Sequence, residues 1–369
     1  MAYWLDKLVK KSLWGVQPYV PGKPIEEVQR ELGLKQIVKL ASNESPYGPS
    51  LKVLKAMAAA ARNINRYPVS DCYALRQALS RKLRVQSGQL LFGNGSDELI
   101  VLTIRAFVRP HEEVIIAQPS FLIYELAARV AGVRVKAVSL KDFFYDLPGM
   151  RKAITPKTKI IFIGNPDNPA GTYISQDRLH QFLKAIRPHL IVFLDEAYFE
   201  FVDRPDYPHS LKLLKKFPNL IVTRTFSKMY GLAGLRIGYA IAHPKLIDYL
   251  NRVREPFNVN ALAQAAALAC LRDGRYYRDV ARRIRKQREF LYACLEGMGV
   301  PFHKTVTNFI LIQVKRDAGE VTQKLLQRGV IVRDMRQWGL KQYIRVTIGT
   351  ERENRKFIKE LKNILTLGR

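Results

Sequence analysis

Leu190-Ile191-Val192-Phe193-Leu194-Asp195-Glu196-Ala197-Tyr198 is the stretch that decides the fold. Five consecutive apolar residues, β-branched and aromatic ones among them, end in a carboxylate. A run without polar alternation marks a strand buried on both faces, as strands are in a parallel sheet covered by helices. Similar short runs lie on either side of it, at residues 89–92, 113–117, 134–138, 159–163, 220–223 and 237–241, with amphipathic helical stretches between them. Strands alternating with helices from about residue 88 to 242 predict βαβ units and a mostly parallel α/β sheet. In such sheets ligands bind beyond the carboxyl ends of the strands. Polar, turn-forming segments follow several of these runs: Gly93-Asn94-Gly95-Ser96-Asp97-Glu98, Asn165-Pro166-Asp167-Asn168-Pro169, Asp195-Glu196-Ala197-Tyr198 and Arg224-Thr225-Phe226-Ser227-Lys228.

Beyond His243-Pro244 the pattern changes. A long helical region leads to three β-rich runs, at residues 309–314, 330–333 and 343–348, with a helix between the first two and a terminal helix from Glu351. This predicts a smaller α+β domain. The chain of 369 residues also exceeds the roughly 250–300 at which one hydrophobic core stops growing. The division expected is an N-terminal arm with part of the small domain (1–40), a large domain (41–255) and a small C-terminal domain (256–369).

Composition is that of a globular protein, 47% hydrophobic and 25% charged, which excludes long disorder and collagen-like sequence. Cys72, Cys270 and Cys294 are far apart and form no CxxC pair, so reduced thiols in a cytoplasmic protein are expected rather than a disulfide framework. The six histidines make no HExxH or paired spacing, and no metal site is expected. No segment is apolar for the 18 or so residues that span a bilayer. Residues 1–14 mix Trp4, Leu5, Leu8 and Val9 with Lys7, Lys10 and Lys11, which predicts a short amphipathic arm packed on this subunit or a neighbour, without a signal peptide. The net charge of +29 attracts anions, whether small substrates or, nonspecifically, nucleic acid. It is densest at residues 281–288 (ARRIRKQR), where Tyr277, Val280, Ile284 and Leu291 recur beneath at helical spacing, predicting a solvated helix face.

Three features carry chemistry. The glycines of GNGSDE allow a tight turn into a helix whose N-terminal amides suit a phosphate, although the segment taken alone is equally an ordinary capped helix. Asp195, at the end of a buried strand, needs a partner: a helix cap, or a cationic ring nitrogen. Lys228 stands among hydroxyls, glycines and Arg236, where neighbouring cations lower the pKa of an amine and favour its nucleophilic form. An amine, a phosphate cradle and a strand-end carboxylate together ask for pyridoxal 5'-phosphate, which has an aldehyde, a phosphate and a pyridine nitrogen.

On these residues the chain resembles the fold-type-I pyridoxal-phosphate aminotransferases, most closely their histidinol-phosphate branch. The matching stretches are residues 40–50 (LASNESPYGPS), 66–68 (RYP), 93–100 (GNGSDELI), 165–171 (NPDNPAG), 195–201 (DEAYFEF), 224–239 (RTFSKMYGLAGLRIGY), 256–260 (PFNVN) and 343–350 (YIRVTIGT), in order over nearly the whole chain. The SKxxGxxGxRxG core identifies the superfamily. PFNVN together with Gln17-Pro18-Tyr19 points to the branch.

The resemblance implies a homodimer with shared active sites that exchanges an amino group between histidinol phosphate and 2-oxoglutarate in histidine biosynthesis. It implies Lys228 as the lysine that bonds to the cofactor and later moves the substrate proton, Asp195 at the pyridine nitrogen, Asn168 and Tyr198 at the ring hydroxyl, and Phe121 on the ring face. The phosphate is then held by the amides of Gly95 and Ser96, by Ser227, Arg236 and Thr225, and by Tyr67 of the neighbouring subunit. Arg345 takes the substrate carboxylate, and Tyr19, Asn43, Asn308 and Arg333 are candidates for the rest of the substrate. Two positions depart from the family pattern NPNNPTG: Asp167 replaces an asparagine and Ala170 a threonine, both expected to stand clear of the reacting atoms. Alternatives are an aromatic-amino-acid aminotransferase or a phosphothreonine decarboxylase on the same scaffold and, from another class, a basic nucleic-acid-binding regulator that retains the fold.

Overall fold

A computed structural model describes residues 7–18 and 20–366. Its strands are β1 (Val38–Leu40), β2 (Leu90–Gly93), β3 (Glu113–Gln118), β4 (Arg134–Ser139), β5 (Thr158–Gly164), β6 (Ile191–Asp195), β7 (Leu220–Thr225), β8 (Gly238–Ala242), β9 (Phe302–His303), β10 (Phe309–Gln313), β11 (Val330–Asp334) and β12 (Tyr343–Thr347).

Seven of them form one sheet in the order β2-β8-β7-β6-β5-β3-β4. Pairing is parallel from β7 through to β4, and β8 runs antiparallel to both of its neighbours. All seven runs expected from the sequence are strands of this sheet, with ends within two residues of expectation. The central run shows why no alternation was visible. On β6, Ile191 and Phe193 enter the apolar cluster on one face while Val192 and Leu194 enter the cluster on the other. Complete burial of a Leu or Phe side chain contributes about 1.5–3 kcal/mol, so both faces of the strand are held.

The second sheet has five strands in the order β1-β11-β12-β10-β9. Its three central strands are the expected ones. The sequence did not reveal β1 and β9, because strands of three and two residues carry no period. β1 pairs parallel with β11, which brings the chain just before Asn43 to the edge of the small sheet. One apolar cluster joins the sheets: Val192 and Leu194 belong to the same cluster as Phe309, Val332 and Val346.

The structure bears on three expectations. The helix Ala261–Leu271, just past the expected boundary at residue 256, packs against the helices Leu51–Ala61 and Tyr73–Leu83, its alanine-rich surface permitting close approach. The basic run 281–288 is not wholly solvated: Arg288 is buried with its guanidinium 2.6 Å from Asp203, and Gln287 is buried and bonded to Asn354. Of the arm expected over residues 1–14, the first six lie outside the described residues. Lys11–Leu13 forms a single 3-10 turn against the helix Leu122–Val130, with Leu8 and Trp14 exposed. Among the described residues no helix is long and apolar enough to cross a membrane, and no His, Cys, Asp or Glu group could hold a metal.

Candidate active site

At the carboxyl edge of the large sheet Gly164 lies opposite Asp195, and Asp195 opposite Thr223. Beside them Thr225 and Gly93 both pair with Gly238. The loops that leave these strands face the edge of the small sheet across a cleft of about 290 Å³. Ser96, Phe121, Asn168, Asp195, Tyr198, Thr225, Ser227, Lys228 and Arg236 line it from one side, Arg333 and Arg345 from the other, and Asn43 from the segment between.

Asp195 is 4% exposed. Its Oδ2 accepts the Tyr124 hydroxyl at 2.9 Å, and its Oδ1 accepts the Ala197 amide at 3.2 Å. Burial outweighs these bonds and raises its carboxyl to about 6. Lys228 moves the other way. Burial first, and the Arg345 cation second, lower its amine to about 8, and its Nζ donates to the Ser42 carbonyl at 3.3 Å. One cleft therefore holds an acid and an amine both shifted toward neutrality, a pattern concentrated at functional sites.

The phosphate-type cradle is built around the first residue of the helix Ser96–Phe107, whose amide has no acceptor within the helix. Arg236 reaches over it, with Nη1 3.4 Å from Ser227 Oγ and Nη2 3.2 Å from Asp97 Oδ2. Gly95, at φ +82°, takes a backbone conformation that L side chains rarely adopt, and the Arg236 guanidinium lies directly over it. Its own amide donates to the Gly93 carbonyl at 2.8 Å, so the expected phosphate donor at Gly95 is already turned back on the loop. Thr225 Oγ1 is similarly engaged, accepting the Ser227 amide at 3.0 Å and donating to the Ile237 carbonyl at 3.3 Å.

Asn43, in the left-handed region at φ 54°, donates from Nδ2 to the Tyr198 hydroxyl at 2.9 Å. Burial pushes that hydroxyl up to about 12. Asn168 Oδ1 accepts from Arg345 Nη1, joining the two sides of the cleft. Two expected residues do not line this chain's own cleft. Asn308 is fully buried behind the cleft, its Nδ2 donating to the Asn43 carbonyl at 3.0 Å, so it supports Asn43 rather than facing a ligand. Tyr67 is 83% exposed and stacked on Phe257 with ring centroids 4.7 Å apart, away from this chain's own cleft. Tyr19 lies outside the described residues.

Sequence reasoning missed Tyr124, Asp97 and Trp338, all of which line the cleft. Tyr124 carries one sign, a hydroxyl in the apolar phase of its helix. Asp97 was visible only as part of GNGSDE, and Trp338 has no local signal. Asp167, expected to stand clear, lines the cleft as a second buried acid; its Oδ1 accepts the Tyr145 hydroxyl at 3.2 Å, and burial raises it to about 7. Ala170 does stay out of the cleft, packed against Leu311, Met335 and Trp338.

The family model for aminotransferase class I and II matches residues 35–361. The chain is an aminotransferase of that family. The histidinol-phosphate aminotransferase of Moorella thermoacetica is 46% identical over 96% of this chain and 92% of its own length. That of Caldicellulosiruptor saccharolyticus is 45% identical over 95% of this chain and 98% of its own. Among solved structures, histidinol-phosphate aminotransferase from Sinorhizobium meliloti in complex with pyridoxal-5'-phosphate superposes with TM-score 0.90 at 27% identity, covering 98% of each chain. Aspartate aminotransferase from Thermus thermophilus, at 21% identity and TM-score 0.84, shares the aminotransferase fold.

Proposed function

We propose that this aminotransferase moves the amino group of histidinol phosphate to 2-oxoglutarate, giving imidazole acetol phosphate and glutamate in histidine biosynthesis, with pyridoxal 5'-phosphate as cofactor. The observation that carries this reading is a near-neutral lysine and a buried acid, Lys228 and Asp195, facing the two arginines Arg333 and Arg345 across one cleft.

The donor set fits the cofactor. The group of the Ser96 amide at a helix N-terminus, Ser227, Thr225 and Arg236, all lining the cleft, suits a phosphate. Asp195 suits a protonated ring nitrogen, and a cation there reverses the effect of burial and holds the carboxylate ionised. Asn168 and Tyr198 are assigned to the ring hydroxyl and Phe121 to the ring face. When bound, pyridoxal phosphate supplies an aldehyde that takes up the amino group and a ring that accepts electrons as the α-proton leaves. Lys228 Nζ, lowered to about 8, takes and returns that proton near neutral pH. Arg345 orients the carboxylate of glutamate or 2-oxoglutarate. Arg333, with Asn43 also lining the cleft and Tyr19 as a further candidate, is assigned to the phosphate end of histidinol phosphate, where planar guanidinium donors match either anion.

Tyr67 is assigned to the cofactor phosphate of a second subunit, which makes the enzyme a homodimer with shared sites. Its exposure supports this, as do the exposed apolar side chains Ile64, Val69 and Tyr73 close to it in sequence. The same reading sets the small domain after Leu271 and places the enzyme in the cytoplasm. Adding histidinol phosphate to the cofactor-loaded protein should abolish the cofactor's visible absorption, and 2-oxoglutarate should restore it. Faster loss with phenylalanine than with histidinol phosphate would establish the aromatic-amino-acid alternative instead.

A further inference from the structure

Arg333 and Arg345 are direct partners on the antiparallel strands β11 and β12. Both are nearly buried, 7% and 6% exposed. Like charges directly opposite each other destabilise a sheet, and burial removes the water and salt that would screen them. The indole of Trp338 is close to both, its ring 5.1 Å from Arg333 Cζ and 5.8 Å from Arg345 Cζ. An aromatic face attracts a cation, and most strongly where water is excluded. Trp338 is itself fixed. Its indole N–H donates to the Ser120 carbonyl at 2.9 Å, its backbone amide closes a 3-10 turn on the Met335 carbonyl at 3.0 Å, and it packs with Ala170, Leu311 and Met335. Ser120 immediately precedes Phe121 of the opposite wall.

We infer that Trp338 is a positioning residue for substrate anions: its indole face holds Arg333 and Arg345 side by side as a two-arginine clamp, and its N–H ties that clamp to the Ser120–Phe121 turn across the cleft. This rests on the assignment of the two arginines to substrate anions under the proposed function. The clamp takes anions of two kinds, the carboxylates of a 2-oxo diacid and the phosphate of a phosphomonoester amine. Each brings negative charge to a pair of cations over which the indole lies, beside the hydrogen bonds of Arg345 to Asn168 and the Ala41 carbonyl and of Arg333 to Gln337 and the Val20 carbonyl.

The test uses the cofactor-loaded enzyme. Trp338→Met fills much of the space without an aromatic face. It should raise KM for both histidinol phosphate and 2-oxoglutarate, and the Kd for inorganic phosphate measured by calorimetry, by about ten- to thirtyfold. KM should rise more than kcat falls, and KM for histidinol, which has no phosphate, should move by less than about threefold. Trp338→Phe keeps a face and should recover most of the anion affinity. Unchanged phosphate and 2-oxoglutarate binding in Trp338→Met overturns the proposal, as does an equal loss for histidinol and histidinol phosphate.

Should Trp338→Met fail to fold, a second measurement decides. In protein carrying Trp4→Phe and Trp14→Phe, incorporation of mono-, di- and trifluorotryptophan weakens the ring face in steps at nearly constant volume. Kd for phosphate should climb with each fluorine, and a flat series overturns the clamp. If the unmutated enzyme used histidinol as well as histidinol phosphate, the substrate assignment would fall, whereas the phosphate and 2-oxoglutarate titrations would still judge the role of Trp338.

Discussion

The two walls of the cleft are built on different chemistry. On the large-sheet wall the decisive groups exchange protons: burial raises Asp195 to about 6 and lowers Lys228 to about 8. On the small-sheet wall Arg333 and Arg345 carry guanidiniums, which donate hydrogen bonds and do not give up their charge in proteins. One wall is arranged to move protons and the other to hold anions at fixed places. A substitution on the first should therefore act on kcat, and one on the second on substrate choice.

The largest effect tests the proton-moving wall. Lys228→Ala should lower turnover by about four orders of magnitude or more, while Ser227, Arg236 and the Ser96 amide keep the cofactor phosphate. Mass spectrometry after borohydride treatment should find no cofactor bonded to the variant, and equilibrium dialysis should find it still bound. Normal turnover would remove Lys228 from the mechanism.

On the anion-holding wall, removing the phosphate from the substrate leaves charge-assisted hydrogen bonds unmade, each worth about 1.5–3 kcal/mol. Comparing kcat/KM for histidinol and histidinol phosphate should show a fall of at least about a hundredfold, near 2.7 kcal/mol. Arg333→Ala should narrow that ratio more than it lowers activity on phenylalanine. A ratio that Arg333→Ala leaves unaltered would take the phosphate away from this wall.

Stability against pH separates the walls without substrate. The carboxyl of Asp195 titrates near 3.9 in the unfolded chain and near 6 in the cofactor-free fold, so the fold binds the proton more tightly. Its contribution is then greatest below about pH 4 and is lost as pH rises through 6, by about 3 kcal/mol. Denaturant melts of the cofactor-free protein should show that Asp195→Asn loses less stability than the unmutated chain between pH 4 and 7. Bound cofactor, with a cation at Asp195, should remove the difference. Identical pH profiles with and without Asp195 would mean that this acid is not held in a desolvated site.

The smallest effect concerns the boundary of the site. Tyr67→Phe should cost about tenfold in kcat/KM through one lost hydrogen bond to a charged group. Mixing it with Lys228→Ala subunits should generate sites in which both residues are native. Once subunit exchange is demonstrated and Tyr67→Phe is shown to be impaired, activity no higher than either parent would place Tyr67 outside a shared site.

The large-sheet wall was largely legible because each of its groups sits in a short segment directly after a strand. Asp195, Asn168, Ser96 and Lys228 could be read together without knowing which strands are neighbours. The small-sheet wall was less so. Arg333 and Arg345 come together only through the pairing of β11 with β12, and Trp338 reaches them from a turn with no period or motif. The setting of Asn308 was not legible for the same reason, since its sequence position does not say that its amide turns toward Asn43.

By itself the sequence determined the order of strands and helices, the parallel character of the large sheet and the residues at its carboxyl edge, because apolar period and turn chemistry are local properties of the chain. Tertiary structure alone decided the protonation of those residues and the company they keep. Burial brings Asp195 and Asp167 toward neutral carboxyls, Tyr124 donates to one oxygen of Asp195, and Trp338 lies beside two arginines. Desolvation and Coulomb interaction depend on distance in space, and the chain must fold before residues 195 and 124, or 338 and 345, have one.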